Sequence, residues 1–330
     1  MYFIIKNLSF ASLVLVIGFG FLACDSDSDP EVEQEPISLM DFLIINGYDS
    51  FAEAIEKIGL DSELNGEFEY TMFVPTNAAF KKFLADNDFE SLDEIPEELL
   101  TKILMNHLLE EVKRTSDFST GYIQTMAKAG TNNNENLSLY VNKENGLLFN
   151  GVSTIESPNN EIGSGIVHGV HQVIDLPFIH TFIYPGDEHE DDPQFDAFSN
   201  VIFWNGPRFD ENSSYTVFAP INDAFAALYN EYGEEEFYSE DPEYGSITLM
   251  NIVGYHIISK VNLRSENLID GMTVTTVQGE DLIINLNGEV TLTDVNGRKS
   301  TIITKDIQAV NGVIHAVDMV LLPDINGDGE

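Results

Sequence analysis

Four histidines have the residue type and sequence setting for acid–base catalysis or metal binding. Each lies in an apolar segment, and they form two equivalent pairs in a repeated sequence, His107 with His256 and His168 with His315. A histidine that is buried in this way more often joins a helix to a strand by hydrogen bonds. Because the same histidines occur twice, we predict a structural role, with metal binding or catalysis as the alternative.

Motifs that define common catalytic sites are absent from the sequence. It contains neither the Gly-x-Ser-x-Gly pattern of a serine nucleophile nor the His-Glu-x-x-His pattern of a zinc hydrolase. We therefore predict no catalytic residues, no enzymatic activity and no cofactor.

Oxygen ligands for a hard cation are concentrated in two acidic segments. Residues 187–192 read Asp-Glu-His-Glu-Asp-Asp, without the regular spacing of a binding loop. The chain ends with Asp324, Asn326 and Asp328, which resemble the opening of a calcium loop without its distal glutamate. We predict solvated segments, with a weak calcium site at the C-terminus as the alternative.

The composition describes an acidic protein with enough apolar residues for a large core. The 330 residues include 56 Asp and Glu but 15 Lys and Arg, which gives a formal net charge of −41. Nucleic-acid binding is excluded, because phosphate contacts need clustered cations. Hydrophobic residues make up 43% of the chain, and its length allows about two domains.

The N-terminal segment is typical of exported bacterial proteins. Lys6 precedes an apolar run from Leu8 to Ala23, which is short for a membrane-spanning helix of about 20 residues. Residues 21–24, Phe-Leu-Ala-Cys, resemble a bacterial lipoprotein cleavage box. The resemblance implies a signal peptide at 1–23 and a lipid anchor on Cys24, the single cysteine. A general secretory signal with a free thiol is the alternative.

Residues 24–36 form an acidic segment without apolar periodicity, which predicts a solvated tether. An acidic stretch directly after the lipidated cysteine also resembles the surface-export signal of Bacteroidetes lipoproteins. This resemblance implies a location in the cell envelope, at the outer membrane and exposed on the surface.

Three sequence blocks occur twice in the same order. They are residues 70–80 and 215–225, residues 100–112 and 249–261, and residues 165–168 and 312–315. The offsets of 145, 149 and 147 residues are nearly constant. The sequence therefore contains a duplicated domain of about 145 residues.

The first block predicts a strand, a proline that ends it, and a helix with a capping asparagine and a core phenylalanine. These residues are Thr71, Pro75, Asn77 and Phe80 in the first copy, and Thr216, Pro220, Asn222 and Phe225 in the second. The predicted strands cover Thr71–Val74 and Thr216–Ala219, and the helices begin at the asparagines.

The second block predicts an amphipathic helix, and the remainder of each copy predicts strands. Apolar residues follow helical spacing from Leu100 to Val112 after Pro96. In the second copy, predicted strands are Thr273–Val277, Leu282–Leu286, Glu289–Thr293 and Thr301–Thr304, with hairpin turns at Asn287-Gly288 and Asn296-Gly297. Helices followed by antiparallel strands indicate an α+β fold.

Together, these blocks resemble the fasciclin-like domain. The second copy carries the Thr-Val-Phe-Ala-Pro block, the Tyr255-His256 pair, and an Asn-Gly-Val-Ile-His-Ala-Val-Asp segment that includes Asn311, Gly312 and Asp318. The resemblance implies tandem domains at 37–177 and 178–323 and an acidic tail at 324–330. It also implies wedge-shaped β-sandwiches flanked by helices, and a role in extracellular adhesion.

The first copy departs from this pattern at three places. Asn106 replaces the tyrosine of the Tyr-His pair, residues 163–165 read Gly-Ser-Gly instead of Asn-Gly, and His171 stands where the second copy has Asp318. Any ligand site near this helix is therefore more credible in the second copy than in the first.

The resemblances favour a lipid-anchored cell-surface protein that mediates adhesion or binds an extracellular protein or polysaccharide through two domains. Two weak sites on one chain would add by avidity. The alternative function is a glycan-binding or small-ligand-binding module that assists nutrient capture. Trp204 is the one tryptophan and a candidate sugar platform, although its position at the end of a predicted helix favours packing.

Overall fold

The computed structural model describes residues 37–64, 68–130, 134–144, 146–183, 194–205, 208–233 and 249–324. The chain from Pro36 to Glu330 forms one unit, which contains both repeats. The predicted signal peptide, the tether with Cys24, the acidic segment 187–192, and Asn326 and Asp328 lie outside the described residues.

The first repeat begins with helices and ends with strands. Its helices are α1 (Leu39–Ile45), α2 (Asp49–Ile58), α3 (Asp61–Leu64), α4 (Asn77–Asp86) and α5 (Glu97–Asn106). Its strands are β1 (Thr71–Pro75), β2 (Leu108–Leu109), β3 (Gly121–Lys128), β4 (Asn136–Asn142), β5 (Leu148–Phe149), β6 (Ser153–Ile162) and β7 (Gly165–Val170).

The second repeat has the same plan. Its described helices are α6 (Ile179–Ile183), α7 (Asp196–Asn205), α8 (Asn222–Tyr232) and α9 (Leu249–Tyr255). Its strands are β8 (Tyr215–Pro220), β9 (Ile257–Ser259), β10 (Thr273–Thr275), β11 (Asp281–Asn285), β12 (Thr291–Thr293), β13 (Lys299–Ala309) and β14 (Gly312–Val317).

Each repeat forms a seven-stranded sheet with the same connectivity. The strand order is β2-β1-β7-β6-β5-β4-β3 in the first repeat and β9-β8-β14-β13-β12-β11-β10 in the second. The pairs β1/β7 and β8/β14 are parallel, whereas the other neighbours are antiparallel. The predicted α+β fold and its duplication are confirmed.

The burial of the parallel pair in each sheet explains why the first and third sequence blocks are continuously apolar. Every residue of β1 and β7 is buried, and so is every residue of β14. Strands that are covered on both faces carry apolar residues at successive positions rather than at alternate ones. The strands of the parallel pair therefore separate the two halves of the core in each repeat.

The long strands β6 and β13 contain β-bulges. Their pairing with β7 and β14 shifts register in two places on each strand. Asn159 and Asp306 occupy these bulges with φ values of 58° and 59°. The predicted strand Thr301–Thr304 was too short, because the bulge at Asp306 interrupts the alternation of apolar and polar residues.

The hairpins of the second repeat follow the predicted turn residues. Gly288 and Gly297 adopt φ values of 96° and 81°, which favour glycine. Both glycines lie in the turns that join β11 to β12 and β12 to β13. The predicted strands at β10, β11 and β12 are present with ends shifted by at most two residues.

The predicted role of Asn77 and Asn222 in capping their own helices was wrong. Thr76 caps α4, since its Oγ1 accepts a hydrogen bond from the amide of Ala79. Asn77 Oδ1 instead accepts from the amide of Ser50 in the first turn of α2, at 3.0 Å. Each asparagine therefore joins two helices.

The second repeat preserves this arrangement. Asn222 Oδ1 accepts from the amide of Ala197 in the first turn of α7, at 2.9 Å. Because the helix pairs α2/α4 and α7/α8 pack against each other, the asparagine at the start of one helix reaches the N-terminus of its neighbour.

The predicted apolar stripe of the second block extends too far. Helix α5 ends at Asn106, and the chain continues into β2 at Leu108. Val112 and Val261 lie beyond the helix and are 42% and 37% exposed. Pro96 occupies the position before α5 and not its first turn. No helix among the described residues is long and apolar enough to span a membrane.

We expect Asn77→Ala to lower the free energy of unfolding by about 1 kcal/mol, because the substitution removes the acceptor for the first turn of α2. Urea denaturation of the full chain, followed by circular dichroism, measures this change. The exposed Asn134→Ala is the matched control and should leave the midpoint unchanged. An unchanged midpoint for Asn77→Ala would contradict the capping role.

Candidate functional site

The histidines at the ends of α5 and α9 connect each helix to the chain segment after the last strand. His107 Nδ1 donates to the carbonyl of Ile103 at 2.8 Å, and its Nε2 accepts from the amide of Ile174 at 2.9 Å. His256 makes the same contacts with Ile252 and Leu321, at 2.7 and 3.0 Å. Both imidazoles use both nitrogens within the repeat.

The histidines of β7 and β14 form hydrogen bonds with a different segment, the one that follows β2 or β9. His168 Nε2 donates to the carbonyl of Lys113 at 2.9 Å, and His315 Nε2 donates to that of Leu263 at 2.9 Å. Their Nδ1 atoms accept from the amides of the bulge residues Asn159 and Asp306. Each histidine thus connects a bulge to the segment that follows β2 or β9.

These contacts require neutral imidazoles, because one nitrogen of each ring must accept a hydrogen bond. Burial lowers the pKa values of His107 and His256 to about 4, although the hydrogen bonds to Ile103 and Ile252 oppose this effect. Burial also lowers the pKa values of the other two histidines. All four side chains are fully buried, so they are inaccessible to a substrate.

The threonines of the first block form hydrogen bonds with the same segments, those that follow β2 and β9. Thr71 Oγ1 donates to the carbonyl of Glu111 and accepts from the amide of Lys113, at 2.6 and 2.8 Å. Thr216 makes the equivalent contacts with Val261 and Leu263, at 2.9 and 2.8 Å. A buried hydroxyl therefore replaces a missing strand partner in both repeats.

Tyr255 has an internal role and does not line a ligand site. Its hydroxyl donates to the carbonyl of Asp281 at 2.8 Å and accepts from the amide of Val295 at 3.1 Å. Burial raises its pKa. In the first repeat, Asn106 donates from its amide to the carbonyls of Ile174 and Asp175. The Tyr255 side chain is fully buried and therefore not accessible to a ligand, while a site elsewhere near this helix stays a prediction.

His171 and Asp318 differ in residue type but have the same contact. His171 Nδ1 accepts from the amide of Thr154 at 3.0 Å, and Asp318 Oδ1 accepts from the amide of Thr301 at 2.6 Å. Both side chains thus provide an acceptor to the long bulged strand. This departure of the first copy conserves the hydrogen bond.

The Asn311-Gly312 pair lies at the start of β14. Asn311 Oδ1 accepts from the amide of Ile179 in α6 at 2.8 Å. Gly312 has a φ of 153°, and a Cβ atom there would lie 2.2 Å from the carbonyl oxygen of Tyr215. A larger residue is therefore excluded at this position.

The remaining predicted residues are in these places. Phe80 and Phe225 are buried, and Pro75 and Pro220 are the last residues of β1 and β8. Asp324 is half-buried, and its amide donates to Glu280.

Neither the Trp204 side chain nor the complete C-terminal acidic segment lies within the described residues. Trp204 lies in α7, but its side chain is outside the described residues. Within the described part of the chain, no group of three or more His, Cys, Asp or Glu side chains is suited to hold a metal ion.

The junction between the repeats consists of β4, β13, α6 and the segments beside them. The amide of Gln308 donates to Ser138 Oγ at 2.9 Å, and the amide of Val310 donates to the carbonyl of Pro177 at 2.8 Å. Arg264 forms an ion pair with Glu135 across the junction, with Nη2 and Oε2 separated by 3.3 Å.

Aromatic packing contributes to the same junction. Tyr140 of β4 belongs to the apolar core of the second repeat together with Phe182 of α6 and Ile307 of β13. Tyr122 packs edge-to-face on Phe182, with ring centroids 5.5 Å apart. The two repeats thus share a core, in addition to polar contacts.

A polar cavity of about 620 Å³ opens at this junction. Its walls include Glu135 of the first repeat and Asn262, Arg264, Asn267 and Gln308 of the second. A second cavity of about 450 Å³ is lined by Thr120 and Tyr140 of the first repeat and Asn222 of the second. The sequence analysis missed both cavities, because residues far apart in the chain form their walls.

The fold and its duplicated internal contacts define a protein with two tandem domains of one type. The fasciclin domain model matches residues 46–177 and 205–323. A solved FAS1 domain pair from the insect cell adhesion molecule fasciclin I matches with a TM-score of 0.50 and 19% identity, covering 85% of this chain and 98% of that one. The chain belongs to the fasciclin domain family.

Several curated proteins are similar to this chain. Human periostin is 30% identical over 266 residues, which are 80% of this chain and 30% of periostin. Pig transforming growth factor-beta-induced protein ig-h3 is 26% identical over 80% of this chain and 36% of its own length. Protein sll1483 of Synechocystis is 34% identical over 33% of this chain and 55% of its own length. The chain spans about a third of the length of the first two relatives.

We expect the stability of the chain to depend on pH through His107 and His256. Their pKa values fall from 6.5 to about 4 on folding, so the unfolded chain binds more protons between these values. The free energy of unfolding should be largest above pH 6.5 and should decrease towards pH 4, by roughly 3 kcal/mol for each histidine.

Urea denaturation at several pH values tests this dependence. His256→Gln should show a shallower decrease between pH 6.5 and 5 than the unsubstituted chain, because glutamine does not titrate. The exposed Asn134→Ala removes no titrating group, so it is the matched control and should keep the original slope. If His256→Gln shows the same decrease of unfolding free energy with pH as the unsubstituted chain, His256 does not cause the pH dependence.

We expect Ser138→Ala to destabilise the junction by about 1–3 kcal/mol, because the buried amide of Gln308 loses its acceptor. Thermal unfolding of the full chain provides the measurement. The exposed Ser91→Ala is the matched control, since its side chain makes no capping hydrogen bond. Equal midpoints for both variants would show that the bond across the junction contributes no net stability.

Proposed function

We propose that the chain is an exported, lipid-anchored protein of the cell envelope that mediates adhesion by binding an extracellular protein or polysaccharide. The observation that carries this proposal is the tandem pair of fasciclin domains, an architecture shared with the domain pair of the insect cell adhesion molecule. Adhesion needs exposed binding surfaces and no reacting groups.

The internal chemistry of the domains supports a binding role. The recurring histidines, threonines and Tyr255 form hydrogen bonds within each repeat and are buried. Surfaces and cavities formed by other residues therefore provide the contacts to a ligand. Because both repeats contribute to one core, the orientation of their surfaces relative to each other is fixed. Weak contacts from both repeats to one ligand therefore add together.

The proposed anchor follows from the N-terminal sequence. A thioether-linked diacylglycerol and an N-acyl group on Cys24 provide several chains, which give durable membrane attachment. The acidic tether at 24–36 then separates the domains from the membrane, at the outer membrane and on the cell surface.

A second candidate is the capture of a glycan or small ligand for nutrition. The polar cavity of about 620 Å³ favours it, because this volume is in the range of small-molecule sites. Adhesion and capture both need a ligand site outside the conserved internal framework.

The adhesion proposal is tested with cells that lack the native chain and express variants of it. Cys24→Ser removes the sulfur that carries the lipid, whereas Ser26→Ala changes only the tether. We expect Cys24→Ser to abolish acyl labelling and to reduce the number of attached cells at least tenfold. Ser26→Ala should match the unsubstituted chain in both measurements.

Protease treatment of intact cells gives the complementary measurement. The anchored chain should be digested while a periplasmic marker remains protected. Undiminished attachment by Cys24→Ser cells, or full protection of the chain on intact cells, would contradict the proposal.

A further inference from the structure

The polar cavity at the junction differs from the internal framework because its walls come from both repeats. Ala129, Gly130 and Glu135 lie on one side, and Ser214, Asn262 and Arg264 contribute to the other. Gln308 lines the cavity and its amide donates to Ser138 of the first repeat, so a contact that holds the repeats together also shapes the cavity.

Arg264 is a buried cation in the wall of this cavity. Its side chain is 10% exposed, and its Nη1 donates to Gln308 Oε1 at 3.2 Å while Nη2 pairs with Glu135. Its Nε is buried and has no hydrogen-bond partner among the described residues. The guanidinium is therefore held in place without all its donors being used.

Comparison of the repeats shows that this arrangement is specific to the junction. Arg114 precedes the 3₁₀ turn of the first repeat as Arg264 precedes that of the second. Arg114 is half exposed and pairs with Glu161 of its own repeat. Gln308 occupies the position of Glu161 in the second repeat, so Arg264 is free to pair with Glu135 across the junction.

Carboxamides dominate the polar wall. Asn262 and Gln308 exchange hydrogen bonds through their side chains. Asn267 and Ser214 are exposed at the cavity, and their side chains have no partner in the described part of the chain. Carboxamides and hydroxyls provide donors and acceptors together, which matches the hydroxyl groups of a ligand that both donate and accept.

Charge narrows the class of ligand further. The cavity has one guanidinium, Arg264, and two carboxylates, Glu135 and Glu266. An anionic ligand would meet these carboxylates and a chain with a net charge of −41. A metal ion would meet the guanidinium. A ligand with large apolar groups would displace water from the Asn267 carboxamide without replacing its hydrogen bonds.

We propose that the junction cavity binds a neutral oligosaccharide, whose hydroxyl groups are recognised by Asn262, Asn267 and the guanidinium of Arg264. This inference rests on the proposed role in extracellular binding and names the ligand class for it. The site uses both repeats, so a single fasciclin domain of this chain does not contain it.

Calorimetric titration of the full chain in detergent, with maltotriose, mannotriose and galactotriose as probes, tests the site. We expect at least one trisaccharide to bind with a Kd below about 1 mM. A sulfated disaccharide and calcium chloride are the comparison probes and should not compete with it.

Variants locate the binding within the cavity. Arg264→Gln should weaken binding at least tenfold, whereas Arg114→Gln, at the equivalent exposed position of the first repeat, should have no effect. Asn267→Ala changes an exposed side chain and so keeps the fold, and it should weaken binding about fivefold. Thermal unfolding of each variant without sugar verifies that the fold is retained.

The binding and attachment experiments together test the oligosaccharide site separately from adhesion. Failure of all three trisaccharides to bind, binding that is unchanged in Asn267→Ala, or displacement by calcium or the sulfated sugar would overturn it. If sugars fail to bind but Cys24→Ser still abolishes attachment, the inference falls and adhesion remains. If sugars bind at this site but Cys24→Ser cells attach normally, the site stands and the adhesion proposal falls.

Discussion

The structure of each repeat depends on buried backbone groups that no strand can pair. The segment after β7 or β14 and the segment after β2 or β9 pass beside the parallel strands of the sheet, where their amides and carbonyls are removed from water. Neutral imidazoles and threonine hydroxyls provide the missing partners, as with Ile174 and His107 or Leu263 and Thr216. An unpaired group there costs about 1–3 kcal/mol, so these side chains are constraints on the fold.

The two repeats differ in residues while they conserve contacts. An aspartate and a histidine provide the same acceptor to the long strand at Asp318 and His171. Consequently, the internal hydrogen bond is the conserved property of the motif, and different side chains satisfy it.

At the junction, equivalent arginines of the two repeats make different contacts. In the first repeat, Arg114 and Glu161 form an exposed pair, which contributes little stability. In the second, neutral Gln308 leaves the equivalent arginine to contact the other repeat. This difference between the copies therefore lies at the surface where they meet, and the same surface contains both cavities.

The sequence by itself determined the duplication, the α+β order of elements, the hairpin glycines and the burial of the four histidines. These features follow from residue types and local spacing, which limit what a segment of chain can bury or turn. Only the tertiary structure decided which groups pair. Asn77 caps a neighbouring helix, the bulge at Asp306 divides a strand, and Ser138 accepts from a residue 170 positions away. The hydrogen-bonding capacity of a side chain is a local property, but its partner depends on how distant segments pack.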